Sequence, residues 1–504
     1  MTEQTEQQWQ GNDESNSAPT VGGAGRPVRG GGRSLRDPGG PTGALLAWLT
    51  IIGIVGFLAL TPVAMTFFPG VFAEESEGAA VVEHSPPSGP IRLIAKYSVG
   101  VSELTAGSEE AMLTQVDAIA ESSRSDQLRA VIVAAALAGS DAGLERLERI
   151  KEETTEPVDG SEPAKFSPEF AEAYAIVDRA LTRGSSTLDQ TQRESIVASD
   201  GWFGELLLVS DLPEEDPARQ AVFAGARRMA MLLVGALLGL LGIGVVGLGL
   251  FITAIVLLAR GRIRSAYVPP APGGSVYLEM FALFLVSFFV LQYGGAIVHK
   301  AAGVDLSKLL VWLMAPVMFW PLVRGADWAS WKHAVGWHRG RGVFREVGAG
   351  VLGYLAGLPI VAVGLFLAVV LSALVGLVVE WVTDGVAPPA SHPVIDEMGS
   401  GGVWSVVMLY LLAAVWAPVF EETFFRGALY HHLRGRLGAI VSALTVALIF
   451  ASIHPQGIGL IPALMGLAVV FALIREWRGS IIGPVAAHSL HNATLVTILL
   501  LALG

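Results

Sequence analysis

The chain of 504 residues contains no cysteine. That excludes disulfide bonds, thiolate zinc sites, a cysteine nucleophile and thiol-linked lipids. Charged residues are also scarce, at 15%, against 52% hydrophobic residues and a mean hydropathy of +0.55. A soluble globular protein carries roughly 25% charged residues, so a purely soluble fold is excluded. No HExxH segment occurs, so the sequence gives no independent zinc-protease signature. No repeat of fixed period and no pair of inverted repeats is visible, which removes the main sequence argument for a transporter.

What is present is apolar length. Nine stretches approach or exceed the 18 apolar residues expected of a span: about 44–69, 229–259, 276–298, 309–323, 347–380, 402–432, 438–454, 457–474 and 479–503. Glycine is abundant, at 59 residues, which suits close helix packing in lipid. The expected fold is all-α: a polytopic membrane bundle of about nine spans, with an extra-membrane helical domain inserted between the first two.

The charge is not evenly spread. Residues 71–226 carry 29 Asp and Glu against 12 Lys and Arg, a balance of −17, while the remainder is +5. Helical spacing in "EEAMLTQVDAIAES", "SDQLRAVIVAAALAG" and "SPEFAEAYAIVDRALTR" predicts a small acidic helical domain over 70–226. Its sign argues against nucleic acid as a partner. A protein partner or a role in substrate selection is the open expectation for it.

The domain organisation follows. Residues 1–42 read as a disordered tail. Residues 43–69 form a retained anchor, because the apolar run starts too late and is too long for a signal peptide. The acidic domain spans 70–226, a second span 229–259, and a membrane body 276–503. Arg26, Arg29, Arg33 and Arg36, then Arg260, Arg262 and Arg264, then the basic residues of 324–345, Arg434 and Arg436, and Arg475 and Arg478 all fall at one side. By the positive-inside rule that side is cytoplasmic, which leaves 70–226 and the C-terminus outside. An integral multi-pass protein of the bacterial cytoplasmic membrane is expected. The segment 324–345, with Trp328, Trp331 and Trp337, reads as an interfacial lipid anchor.

Three polar clusters interrupt the last apolar stretches: Glu421-Glu422-x-x-x-Arg426, Phe450-x-x-x-His454 and His488-x-x-x-Asn492. Ionisable groups at membrane depth are costly and are candidate functional sites. At 1.5 Å per residue, Glu421 lies about 20 Å from Arg434, and His488 and Asn492 about 15 and 21 Å from Arg478. These depths converge near the middle of a hydrocarbon core about 30 Å thick. His454 is about 27 Å from Arg436, and Pro455 predicts a break there. Glu422 and Arg426 share a helix face at i, i+4 and can pair. Glu421 is rotated by about 100° and stays free as a general base. Pro418 frees a carbonyl one turn earlier, so local distortion is expected. His488 and Asn492 share a face and can donate to an oxyanion. His454 can orient water or bind a metal. Glu421, His454 and His488 are together a candidate two-His-one-carboxylate site for a divalent metal such as zinc, although metal-free, glutamate-activated water is the favoured reading. The plain alternative is that the cluster is only an interhelical ion-pair lock. His431, His432 and His491 have no motif support.

These three motifs, in this order on successive helices, resemble the CPBP family of CaaX-processing and bacteriocin-processing intramembrane endopeptidases, of the CAAX prenyl protease 2 type. The resemblance covers roughly 276–503, and "EETFFRGALY" is its most specific part. It implies peptide-bond hydrolysis in the membrane. Glu421 with His454 would activate water, and His488 with Asn492 would stabilise the oxyanion. Glu422, Arg426 and Phe450 match the other motif positions. Residues 1–270 are not explained by it. Besides an endopeptidase acting on a membrane peptide or protein, two other classes stay open: a non-enzymatic scaffold or bacteriocin-immunity-type protein of the same fold, and a proton-coupled transporter.

Overall fold

Hydrophobic residues are exposed along whole helices of this molecule, which is the first sign of a lipid-facing surface. In the helix Pro217–Ala259, Leu237, Leu238, Leu240, Leu241, Val245 and Val246 are all open. The computed structural model describes residues 36–67, 81–105, 107–120, 123–155, 165–302, 311–383 and 403–503. The expected tail therefore falls mostly outside the described residues, as do the first residues of the acidic domain.

The fold is an all-α polytopic bundle. Among the described residues the named strands are two, Val81–Val82 and Lys165–Phe166, paired in parallel. Among the described residues seven helices are long and apolar enough to cross a membrane: Pro41–Ala64, Pro217–Ala259, Val276–Lys300, Val343–Val382, Trp404–Arg434, Ile458–Arg478 and Ile482–Leu501. The remaining two of the nine expected spans are shorter, Met314–Val323 and Ala439–Ser452. The first lies in a 3-10 helix, Val311–Phe319, followed by a single α turn, Trp320–Val323. Pro316 and Pro321 remove backbone donors there. The second rises only about 21 Å and stops before His454-Pro455, since Pro455 cannot continue the helix and disfavours helical geometry in the residue before it.

The acidic segment forms its own core. Helices Gly89–Ser102, Glu109–Ala120, Arg124–Ala138, Ser140–Thr155, Pro168–Arg183, Gln190–Asp200 and Trp202–Val209 bury Ile91, Val131, Phe170, Phe203 and Leu206. Phe223 and Ala226 join that core from the first turns of Pro217–Ala259. The second span thus begins inside the domain and leaves it as one helix of 43 residues, about 65 Å long. Arg227, a basic residue at the end of this helix opposite to Arg260, pairs with Glu103 of the domain at 2.8 Å. A Cβ on Gly100 would stand 2.2 Å from Ala226 O, so only glycine lets these two helices meet. Arg129, fully buried, bonds Asp126 at 2.6 Å and Asp200 at 2.8 Å, and His84 reaches Asp200 at 3.0 Å. Burial raises the Asp200 pKa, but the His84 hydrogen bond, the Arg129 charge and the Ser199 hydroxyl outweigh it and hold the carboxyl below its ordinary value. The helix Gly89–Ser102 also touches the C-terminal helix.

The basic loops gather at one end of the bundle. Arg434 makes a two-pronged contact with Glu476, both at 3.0 Å. Arg478 does the same with Glu346, both at 2.8 Å. Arg324 meets Glu279 at 3.0 Å. Asp37 reaches His431 at 3.2 Å, and His431 reaches Tyr267 at 2.7 Å. The residues just before the first span are therefore fastened to this end. The segment 328–338 differs from a simple lipid anchor: Trp331 is buried, Trp337 points inward, and only Trp328 of the three is exposed.

Candidate active site

The helix Trp404–Arg434 is not a regular α-helix. A π turn at Leu411–Trp416 precedes Ala417–Glu422, and a second follows at Thr423–Leu429. Pro418 explains the first: without an N–H it cannot close the α-helical bond to the preceding turn. Such π turns loosen backbone carbonyls and recur at functional sites. Here one freed carbonyl is used, because Asn492 Nδ2 donates to Ala413 O at 2.7 Å.

Between the π turns stand the two glutamates, in different surroundings. Glu422 is fully buried, and its Oε1 accepts from Arg426 Nη1 at 2.9 Å. Arg426 is fully buried as well; its Nη2 donates to Ala468 O at 3.1 Å. Its guanidinium lies 5.0 Å from the Phe450 ring centre, 5.3 Å from Phe471 and 5.9 Å from Phe425. An aromatic cage of this kind attracts a cation through the ring quadrupoles. Glu421 faces elsewhere and keeps 22% of its side chain exposed.

His488, on the helix Ile482–Leu503, links the two carboxylates. Its Nδ1 lies 2.9 Å from the same Glu422 Oε1, and its Nε2 lies 4.0 Å from Glu421 Oε2. The first is a hydrogen bond; the second is too long to be one. The ring stacks on Phe471 at 4.9 Å and 24°. Glu422 therefore does more than compensate Arg426, since it also fixes which nitrogen of His488 faces Glu421. His454 lies just past the end of Ala439–Ser452. Its Nδ1 is 2.6 Å from Phe450 O. A carbonyl only accepts, so that nitrogen carries the proton and Nε2 of the neutral ring is left as an acceptor. The Phe450 ring sits 4.3 Å from His454 and 6.4 Å from His488. The Phe450 ring thus lies beside Arg426, His454 and His488, and Glu422 joins Arg426 to His488.

Some features of the site are not readable in the motifs. Phe471 and Ala468 come from the apolar part of Ile461–Arg478, ahead of its charged last turn, and carry no polar signal of their own. His491 accepts or donates at Nδ1 with Tyr354 OH at 2.9 Å. Thr423, next to Glu422, accepts from Trp337 Nε1 at 3.1 Å. Among the described residues no three His, Asp or Glu side chains are gathered as a metal site. His454 and His488 each have Nδ1 committed to an oxygen of the protein.

Residues 403–494 match the family model described as type II CAAX prenyl endopeptidase, Rce1-like. The likeness of the chain to the CAAX-protease family rests on this segment. The match is under a fifth of the chain and contains Glu421, Glu422, Arg426, Phe450, His454, His488 and Asn492. No curated protein and no solved structure matches the chain. Seven span-length apolar helices among the described residues make this an integral, multi-pass membrane protein, and its segment 403–494 is similar to a family of proteases.

Proposed function

We propose that the protein is an intramembrane endopeptidase that hydrolyses a peptide bond of a membrane-associated peptide or protein with glutamate-activated water. The observation that carries this reading is the single imidazole of His488 set between two unlike carboxylates. Glu422 is neutralised by Arg426, and Glu421 is open. Glu421 takes a proton from water as it attacks the scissile carbonyl, and later gives that proton to the departing amine. His454 Nε2 is a second acceptor for the same water. The oxyanion is held by the remaining N–H of Asn492 and by His488 Nε2. Because the Nδ1 proton of His488 is given to Glu422, donation from Nε2 requires the doubly protonated ring. The steps as written use the protein's own groups alone.

The natural substrate is best found by comparing membrane proteomes of a wild-type strain and a Glu421→Gln strain. The reading expects at least one membrane protein to persist uncut in the variant. Identical proteomes, with both proteins present in the membrane at equal levels, would contradict it.

A further inference from the structure

The segment 328–338 touches both helices whose side chains meet at His488. Its helix Trp328–Val335 lies against the π turn that bears Arg426. A Cβ on Gly427 would stand 2.7 Å from Val335 Cγ1 and 3.0 Å from Val335 O. Two residues on, Trp337 Nε1 donates to Thr423 Oγ1 at 3.1 Å, and that hydroxyl donates to Val419 O at 2.6 Å. Thr423 follows Glu422 directly and is fully buried. Gly336, at φ +94°, turns the chain between these contacts and presents its carbonyl to Ile481 N at 2.9 Å. Ser480 Oγ donates to His338 O at 2.8 Å. Ile481 directly precedes Ile482–Leu503, the helix of His488 and Asn492. Arg475 pins the same segment: fully buried, it donates Nη2 to Ala334 O at 2.9 Å and Nη1 to Gly479 O.

We propose that Trp337 is a positioning residue for the Glu421–Glu422 pair, acting through Thr423, and that 328–338 clamps the helix of the glutamates to the helix of His488. The proposal rests on the reading of those residues as the hydrolytic site. Trp337 reaches the site only through Thr423, the residue next to Glu422, so its effect is on geometry. A displacement of about 1 Å at a reacting group is enough to lower a rate about 100-fold. The hydrogen bond to Thr423 is the part that can be removed without emptying the packing around it.

The test uses the full-length protein in liposomes. Trp337→Phe keeps a ring and removes the N–H; Thr423→Val keeps the shape and removes the acceptor. Each is expected to lower kcat roughly 10- to 100-fold, with KM and melting temperature close to wild type. The double variant is expected to be no slower than the slower single, because one bond has been removed in both. Unchanged kcat, a loss confined to melting temperature, or losses that multiply in the double variant would overturn it. A second arm does not need turnover. The chain has no cysteine, so spin labels on Val415→Cys and Leu495→Cys, both exposed, report the spacing of the two helices directly. Trp337→Ala is expected to shift or broaden that distance distribution, and an unchanged distribution would overturn the clamp. If the wild type cleaves no peptide, the hydrolytic reading fails while this arm still decides the clamp.

Discussion

Replacing Arg426 with glutamine removes one half of a pair that solvent does not reach. Both side chains are fully buried, and their contact is 2.9 Å. Truncating one partner of such a pair leaves the other charge uncompensated and costs about 3–5 kcal/mol. For a unit of 150–250 residues, that corresponds to a drop in Tm of roughly 6–20 °C. Glu422→Gln strands the guanidinium instead, which keeps only Ala468 O and three aromatic rings around it. Its cost is of the same size, and it also loosens His488, whose Nδ1 bonds the same oxygen. Arg426→Gln is therefore the cleaner stability probe, and Glu422→Gln is expected to lose activity as well as stability. The double variant buries two neutral amides and is expected to be more stable than the sum of the singles predicts, by roughly 1–3 kcal/mol. Thermal unfolding followed by tryptophan fluorescence in nanodiscs measures all four proteins. Singles that melt within 2 °C of wild type on that ~20 °C scale, or a double variant with fully additive loss, would refute the reasoning.

Three further outcomes follow from the same contacts. A metal chelator is expected to leave proteolysis by the purified protein unchanged; activity lost on chelation and restored by a stoichiometric ion would reinstate the metal alternative. Reporter tags at the N-terminus and in 324–345 are expected on the cytoplasmic face, and tags in 81–216 and at the C-terminus outside, and a cytoplasmic report from 81–216 would reverse the orientation. In the acidic helical domain, the Asp200 carboxyl is held below its ordinary value, so its stabilising charge is fully present above the unfolded aspartate pKa and is lost as pH falls through the lower folded one. Limited proteolysis of 81–216 is expected to accelerate only below about pH 3.8, the ordinary aspartate value, and Asp200→Asn is expected to flatten that dependence. Cleavage that accelerates already near neutral pH would contradict this account.

Much of the membrane fold was legible because its signal is apolar length, which needs no knowledge of neighbours. The two shortfalls, Met314–Val323 and Ala439–Ser452, lie where Pro316, Pro321 and Pro455 interrupt apolar runs that hydropathy alone reads as continuous. At the site, the pairing of Glu422 with Arg426 followed from i, i+4 spacing, and the exposure of Glu421 from its rotation by one residue. The contact of His488 with Glu422 did not follow, since it joins residues 66 positions apart. Phe471, Ala468 and Trp337 were silent for the same reason. An apolar ring, a carbonyl and an interfacial tryptophan carry no motif, and only the packing of one helix on another gives them a role. The π turns were foreshadowed by Pro418, but their exact extent depends on where Asn492 and Thr423 find partners.

The central claim is that Glu421 is the base of a membrane-embedded hydrolytic site. Its most direct test is turnover by purified wild type and Glu421→Gln in liposomes, with a membrane-spanning peptide substrate identified from the paired proteomes. The account expects the variant to melt like wild type and to cleave about 10²- to 10⁴-fold more slowly, the usual contribution of a general base. A stable Glu421→Gln protein that cleaves at the wild-type rate, beside a stable Glu422→Gln protein that does not cleave, would contradict it.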